Sequence, residues 1–293
     1  MRHNNNPFRK AMQEHNVTLG RKMSDNGHIY EVTAVNGKKR YDLCVKIFVG
    51  CPQSDVISEY LIGKQCHAKD ERHFIRYYDL IPFTVRDNTF DYDRNCWAMF
   101  MQKAIPLTFA PGPKSSAFYV KFLKELTLAL QTMHQENVVH FDIKPDNIVI
   151  NNDTYALLDF GISKRIGDAT INFYDISSTR YYAPPEIFQG ELSKKADLYS
   201  LGMTIRYVLM NGIHEFETNG ISIPKLCQMK KYLEPLRSDD EYVQHFLDII
   251  NKMTEYYPCN RYDSTEAVLD DLNRFPVKED IRFYSMCYCS ESA

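Results

Sequence analysis

The sequence predicts an α+β fold in two parts, an antiparallel, strand-rich beginning with one helix and a mainly helical remainder. Three observations carry that expectation. The first hundred or so residues hold short apolar runs that alternate with polar residues and end in turn signals. The segment "FAPGPKSS" (109–116) then breaks the pattern with closely spaced proline and glycine. Beyond it, Phe118, Phe122, Leu126, Ala129 and Met133 recur at helical spacing, an amphipathic stripe that no strand would show.

The elements follow in order. "NVTLGRKM" and "GHIYEVTAV" read as paired strands joined by "SDNG", and "YDLCVKIFV" is a third strand after the turn "NGKK". "SDVISEYLIGKQC" changes period: Ser54 or Asp55 can cap a helix whose Val56, Ile57, Tyr60 and Leu61 form the apolar side. "FIRYYDLIPFTV" and "NCWAMFMQKA" complete the strands. Helices are then predicted over 115–137, 195–210, 240–253 and 264–275. There is no internal repeat and no low-complexity tract.

Composition limits the function classes. The chain of 293 residues is 44% apolar and 13% aromatic, enough for a sizeable core, and its net charge of −3 gives no basic field for nucleic acid or anionic lipid. No apolar run approaches the ~18 residues of a membrane span. The start "MRHNNNPFRK" lacks the apolar core of a secretory signal, and the eight cysteines show no metal-type spacing, so reduced thiols and a cytoplasmic location are expected. Cys287 and Cys289 sit in what reads as an exposed tail. Trp97 and the many tyrosines read as packing residues, and His140, six positions after His134, as a support for a loop backbone rather than a metal ligand.

The densest chemistry lies in "NVVHFDIKPDNIVI" (137–150), where two apolar runs flank a polar centre. Phosphoryl transfer needs a carboxylate to accept a hydroxyl proton, a cation near the transferred group and an oxygen donor for a metal, and Asp142, Lys144 and Asn147 can fill these roles in order. Pro145 bends the chain, so the three need not share one strand face. A polar hairpin turn is the alternative for this stretch alone. Asp159 follows twelve positions after Asn147, at the end of the apolar run "ALL" and just before Phe160 and Gly161. A carboxylate at a strand end suits a metal, and the glycine allows a sharp turn after it.

These spacings resemble the eukaryotic-type protein kinase family, whose signature H-R-D-x-K-x-x-N followed by D-F-G is matched by His140 to Asn147 and Asp159-Phe160-Gly161. The resemblance extends over about residues 13–275. It implies a bilobal protein-kinase-like fold in one domain over 1–293, with an N-lobe over about 13–103, a C-lobe over 104–275 and a tail over 276–293. "LCVK" resembles the family's V-A-I-K strand and nominates Lys46 for the nucleotide phosphates. It also places Cys44 against adenine, where the family usually has alanine. Glu59 is the expected partner of Lys46, and Asn147 and Asp159 the expected metal-holding pair. "SSTRYYAPPEIF" resembles the segment around A-P-E, giving Thr179 and Glu186. "ADLYSLG" gives Asp197, and "PCNRYDS" gives Arg261, expected in a buried ion pair with Glu186. The hinge is expected near Met101, Gln102, Lys103 and Ala104, with backbone groups on adenine and the nucleotide between the lobes.

Two departures matter. Of the glycine-rich loop only Gly27 survives, ahead of Ile29 on the adenine side. Gly20 serves as a first glycine only if the loop is two residues longer, and Asp25 would bring like charge to the phosphates. Weaker nucleotide affinity or a displaced loop is expected. Phe141 replaces the arginine that pairs with an activation-segment phosphate in the family, and a phenyl ring cannot do so. The resemblance therefore implies ATP and Mg²⁺ as cofactors, protein substrates, no nucleic acid partner, and activity without phosphorylation of Thr170, Tyr174 or Ser177. Lys144 with Thr179 points to Ser/Thr hydroxyls as acceptors. Dual-specificity or tyrosine transfer, a pseudokinase scaffold and a small-molecule kinase remain the alternatives, and oligomeric state is unread.

Overall fold

The computed structural model describes residues 6–24, 27–87, 92–107, 114–166, 180–214, 221–275, 278 and 281–283. The chain divides into two compact units, Met1–Ile105 with Leu158–Gly161, and Pro106–Leu157 with Ile162–Ala293. The Asp159-Phe160-Gly161 run thus groups with the strand-rich unit.

The first unit is built on a five-stranded antiparallel sheet of order β1-β2-β3-β5-β4, with β1 Val17–Lys22, β2 Ile29–Val35, β3 Lys38–Val49, β4 Tyr77–Asp87 and β5 Tyr92–Gln102. Period-two alternation sorts β3 into two faces. Leu43, Val45 and Ile47 join Val32, Ala98 and Phe100 in an apolar cluster, whereas Cys44 and Lys46 point the other way. A helix that the sequence had not announced covers the apolar face: α1, Pro7–Glu14, capped by Asn6 accepting from Phe8 N at 3.0 Å and starting with proline. Its buried residues are Phe8, Ala11 and Met12.

Helix α2, Gln53–Lys69, corrects two expectations. It begins before Ser54 and Asp55, with Pro52 at the cap position and no side-chain cap bond. Its buried face is Val56, Glu59, Ile62, Gly63 and Cys66, while Leu61 is 56% exposed. The inward line therefore runs through a glutamate and a glycine, which an apolar stripe could not reveal. At Gly63 an added Cβ would lie 2.5 Å from the Tyr77 ring, so only glycine lets helix and β4 come this close.

The second unit is mainly helical. Helix α3, Ser116–Gln135, is capped by Ser115 and buries Phe122, Leu126, Ala129 and Met133. Helix α4, Lys195–Leu209, is buried nearly all round, as befits a central helix. Around it come α5 Ile223–Lys231, which the sequence reading did not anticipate, α6 Glu241–Met253 and α7 Thr265–Arg274. Strands Ile148–Asn151 and Thr154–Leu157 form an antiparallel hairpin after the polar loop. Among the described residues, no helix is long and apolar enough to cross a membrane.

Candidate active site

The polar loop is suspended from a single carboxylate. Asp197, fully buried in the first turn of α4, accepts from His140 N at 2.9 Å, Phe141 N at 2.9 Å and His134 Nε2 at 2.8 Å. Two successive amides turned onto one carboxylate require a kink, and Phe141 takes φ +63°. That conformation is uncommon for a bulky residue and persists only where its surroundings hold it. Here the phenyl ring is buried among Val139, Ala183, Ile187 and Ala196, with Ile162, Phe188 and Leu192 packed against the cluster. His140 turns inward, its Nδ1 accepting from Asp142 N at 3.2 Å, and its carbonyl accepts from Ser163 Oγ at 3.2 Å.

Pro145–Asn147 then forms a short 3₁₀ turn, which returns Asn147 to Asp142. Asn147 Nδ2 donates to Asp142 O and Oδ2, both at 2.8 Å, and Lys144 Nζ donates to the same Oδ2 at 2.8 Å. The other oxygen, Asp142 Oδ1, is buried and has no hydrogen-bond partner among the described residues. An acceptor held out of water without a donor costs about 1–3 kcal/mol, so an oxygen like this one calls for a physical reason.

The first unit gathers a second constellation. Lys46 Nζ lies 2.7 Å from Glu59 Oε1 and 2.8 Å from Asp159 Oδ1. Burial pushes the Glu59 carboxyl up to about 7, against the pull of Lys46 and with a further push from Asp159. For Lys46, burial works against the charge, but the two carboxylates outweigh it and the ammonium is held above its ordinary range. Asp159 stands at φ +66°, and Phe160, 1% exposed, packs on Phe74 and Tyr77 with ring centroids 6.1 and 6.0 Å away. Gly161 lies immediately after, where an added Cβ would come 3.3 Å from both Asp159 Oδ1 and Glu59 Oε2.

Other expected residues are placed as follows. Cys44 pairs across the sheet with Glu31 and Met101, and Ile29 with Lys46, so Cys44, Lys46, Ile29 and Met101 share one face. Burial pushes the Cys44 thiol up to about 12. Gly27 takes φ +139°, a conformation that favours glycine. Of the expected hinge residues, Met101 lies within the ladder opposite both Cys44 and Tyr77, Gln102 N donates to Arg76 O and Lys103 N to Asp42 O. Arg261 grips Glu186 with two bonds of 2.5 and 2.9 Å and also donates to the carbonyls of Glu255, Tyr256 and Lys195. Thr179, Asp25, Thr170, Tyr174, Ser177, Cys287 and Cys289 lie outside the described residues.

Taken singly, Asp159 carries a carboxylate and Asn147, with its amide nitrogen turned to Asp142, an amide oxygen, each a hard donor type of the kind magnesium accepts. No group of three or more His, Cys, Asp or Glu among the described residues could hold a metal by itself. Sequence reasoning missed Tyr77, the contact of His134 with Asp197, and Arg9, whose guanidinium donates to Leu19 O and Gly20 O. All three act through partners distant in sequence, so no local pattern marks them.

Comparison with known proteins agrees with this chemistry. Residues 108–272 match the protein kinase domain family. Calcium-dependent protein kinase 4 of Plasmodium berghei is 28% identical over 166 residues, 55% of this chain and 31% of that protein. Serine/threonine-protein kinase cds1 of Schizosaccharomyces pombe is 31% identical over 155 residues, 50% and 34% of the respective chains. Serine/threonine-protein kinase PrkC of Bacillus subtilis is 27% identical over 185 residues, 58% and 28%. The matched region thus spans about a third or less of these relatives. With more than half of its length matched to that domain, and the motif residues folded into the arrangements above, the chain belongs to the eukaryotic-type protein kinase family.

Proposed function

We propose that the protein transfers the γ-phosphate of ATP to serine or threonine hydroxyls of protein substrates, with Asn147 and Asp159 as the side chains that would hold Mg²⁺. The observation that carries this reading is Asp142, whose Oδ2 is clamped by Lys144 and Asn147 while its buried Oδ1 has no donor among the described residues. A substrate hydroxyl supplies that donor. As its oxygen bonds to the γ-phosphorus and the bond to the β-phosphate oxygen breaks, Asp142 Oδ1 accepts the proton and ADP leaves. Lys144, 2.8 Å from Asp142, sets a positive charge where the transferred oxygens gain negative charge. Lys46, fixed by Glu59, holds the α- and β-phosphates. When bound, the metal would supply charge neutralisation to the triphosphate.

Phe141 supports activity without an activation-segment phosphate, because its neighbours Ile162, Ala183 and Ile187 are gathered by apolar packing rather than by an ion pair. The acceptor class rests on Lys144 and on the serine/threonine kinases to which the chain is similar. The test is phosphoryl transfer from labelled ATP to a degenerate peptide library, read by mass spectrometry, for the wild type and Asp142→Asn. Transfer to Ser/Thr peptides that falls at least about a hundredfold in the variant is expected. A variant as active as the wild type, or transfer to none of the peptides, would overturn the reading.

A further inference from the structure

The phosphate-binding loop of this chain keeps one of the usual glycines, and the structure shows what flanks it. Strand β1 leaves its ladder just before the loop: Leu19 pairs with Val32 and Lys22 with Tyr30, so Gly20 and Arg21 stand opposite Glu31 alone. Such a bulge takes backbone groups out of the ladder. Arg9 of α1 reaches over and donates through Nη1 to Leu19 O and through Nη2 to Gly20 O. On the other flank, the Phe8 ring meets the His28 ring edge-on at 4.8 Å and lies 6.4 Å from Tyr30. Asn6, the cap of the helix, donates to Tyr30 Oη at 3.0 Å. His28 O in turn accepts from Ile47 N at 2.9 Å, and Met23 N donates to Ile29 O at 2.8 Å. One short helix therefore touches the strand that enters the loop and the strand that leaves it.

Gly20 belongs to this device rather than to phosphate binding. A Cβ there would sit 2.9 Å from Thr33 Cγ2 and 3.0 Å from Glu31 Cβ, so glycine is required by the bulge packing on β2. Helix α1 lies on the Val45 and Ile47 side of the sheet, opposite the face that carries Lys46. Its side chains act on the phosphate side only through the strands they hold.

We propose that α1 is a brace that fixes both flanks of the phosphate loop, residues 20–24 and 27–30, with Arg9 and Phe8 as positioning residues for the nucleotide. A loop poor in glycine can offer its amides to phosphates only from a restricted set of conformations, and a loop that holds the competent one for a fraction of the time binds correspondingly more weakly. Holding both flanks in place raises that fraction. The proposal rests on the ATP reading for its functional consequence but not for its structural one.

The experiment uses the full chain and compares wild type with Arg9→Ala, Phe8→Ala, Arg9→Lys and a control, Val85→Ala, which loosens the same apolar cluster but leaves Arg9 and Phe8 in place. Amide hydrogen exchange without nucleotide should accelerate about tenfold at residues 20–24 and 27–30 in Arg9→Ala and Phe8→Ala, and not in the control. The KM for ATP should rise about tenfold with kcat within about twofold, and Arg9→Lys should recover part of the loss. If exchange at both flanks and the KM for ATP match the control, the brace is refuted. If the wild type neither binds nor uses ATP, the functional reading fails, and the exchange measurement still decides the brace.

Discussion

Removing the carboxylate of Glu186 should destabilise the second unit more than any exposed charge change in it. Glu186 and Arg261 are 4% and 3% exposed and joined by two bonds of 2.5 and 2.9 Å. In Glu186→Gln the guanidinium stays buried opposite a neutral amide that turns one donor toward it. Stranding one partner of a buried pair costs about 3–5 kcal/mol. With about 2–4 °C per kcal/mol for a unit of this size, the midpoint of thermal unfolding should drop by roughly 10 °C. Arg261→Met should cost more. It strands the carboxylate and also leaves the carbonyls of Glu255, Tyr256 and Lys195 without that donor, and it removes a guanidinium 4.6 Å from the Tyr199 ring. The assay is urea and thermal unfolding followed by circular dichroism, with Arg261→Lys as an intermediate that keeps charge but loses the planar fork. A loss below about 1 kcal/mol for Glu186→Gln, the range of an exposed pair, or a milder effect for Arg261→Met, would refute the reasoning.

Three further outcomes are expected. Because Glu59 is raised from 4.5 to about 7, the folded state holds its proton through that window. The stability this contributes is full below pH 4.5 and lost as pH rises through about 7, so the stability of Glu59→Gln relative to the wild type should shift in the variant's favour between pH 5 and 8, with kinase activity lost; urea titrations giving a pH-independent difference would count against it. Phe141→Arg places a guanidinium among Val139, Ala183, Ile187 and Ala196 and should lower stability by several kcal/mol without creating phosphate-dependent activity, checked by unfolding and by phosphatase treatment before assay. Cys44, with its thiol pushed up to about 12, should resist iodoacetamide at pH 8 under conditions that label the exposed Cys51, as read by peptide mass mapping.

The sequence was informative where chemistry and spacing were local. Alternation placed the five long strands, and the crowding of Asp142, Lys144 and Asn147 around a proline identified the loop that the structure pins to Asp197. It was least informative where burial departs from hydropathy. The inner face of α2 carries Glu59 and Gly63, so the apolar stripe pointed to Leu61, which is exposed. Helix α5 went unseen because its buried Lys230, 1% exposed and donating to Tyr181 O at 3.0 Å, reads as a surface residue. Helix α1 is only eight residues long with the adjacent cations Arg9 and Lys10 at its centre, and its two loop contacts join residues ten or more positions apart. Such partners are set by tertiary packing, which no window of sequence contains.

The missing side chain at position 63 is filled by the ring at position 77. Those two sites share one volume, so their sizes are tied: enlarging the helix residue demands a smaller strand residue in the same step. Because that ring also backs Phe160, a lone change at either site would be felt beside Asp159, and drift at this pair should proceed only by joint replacement.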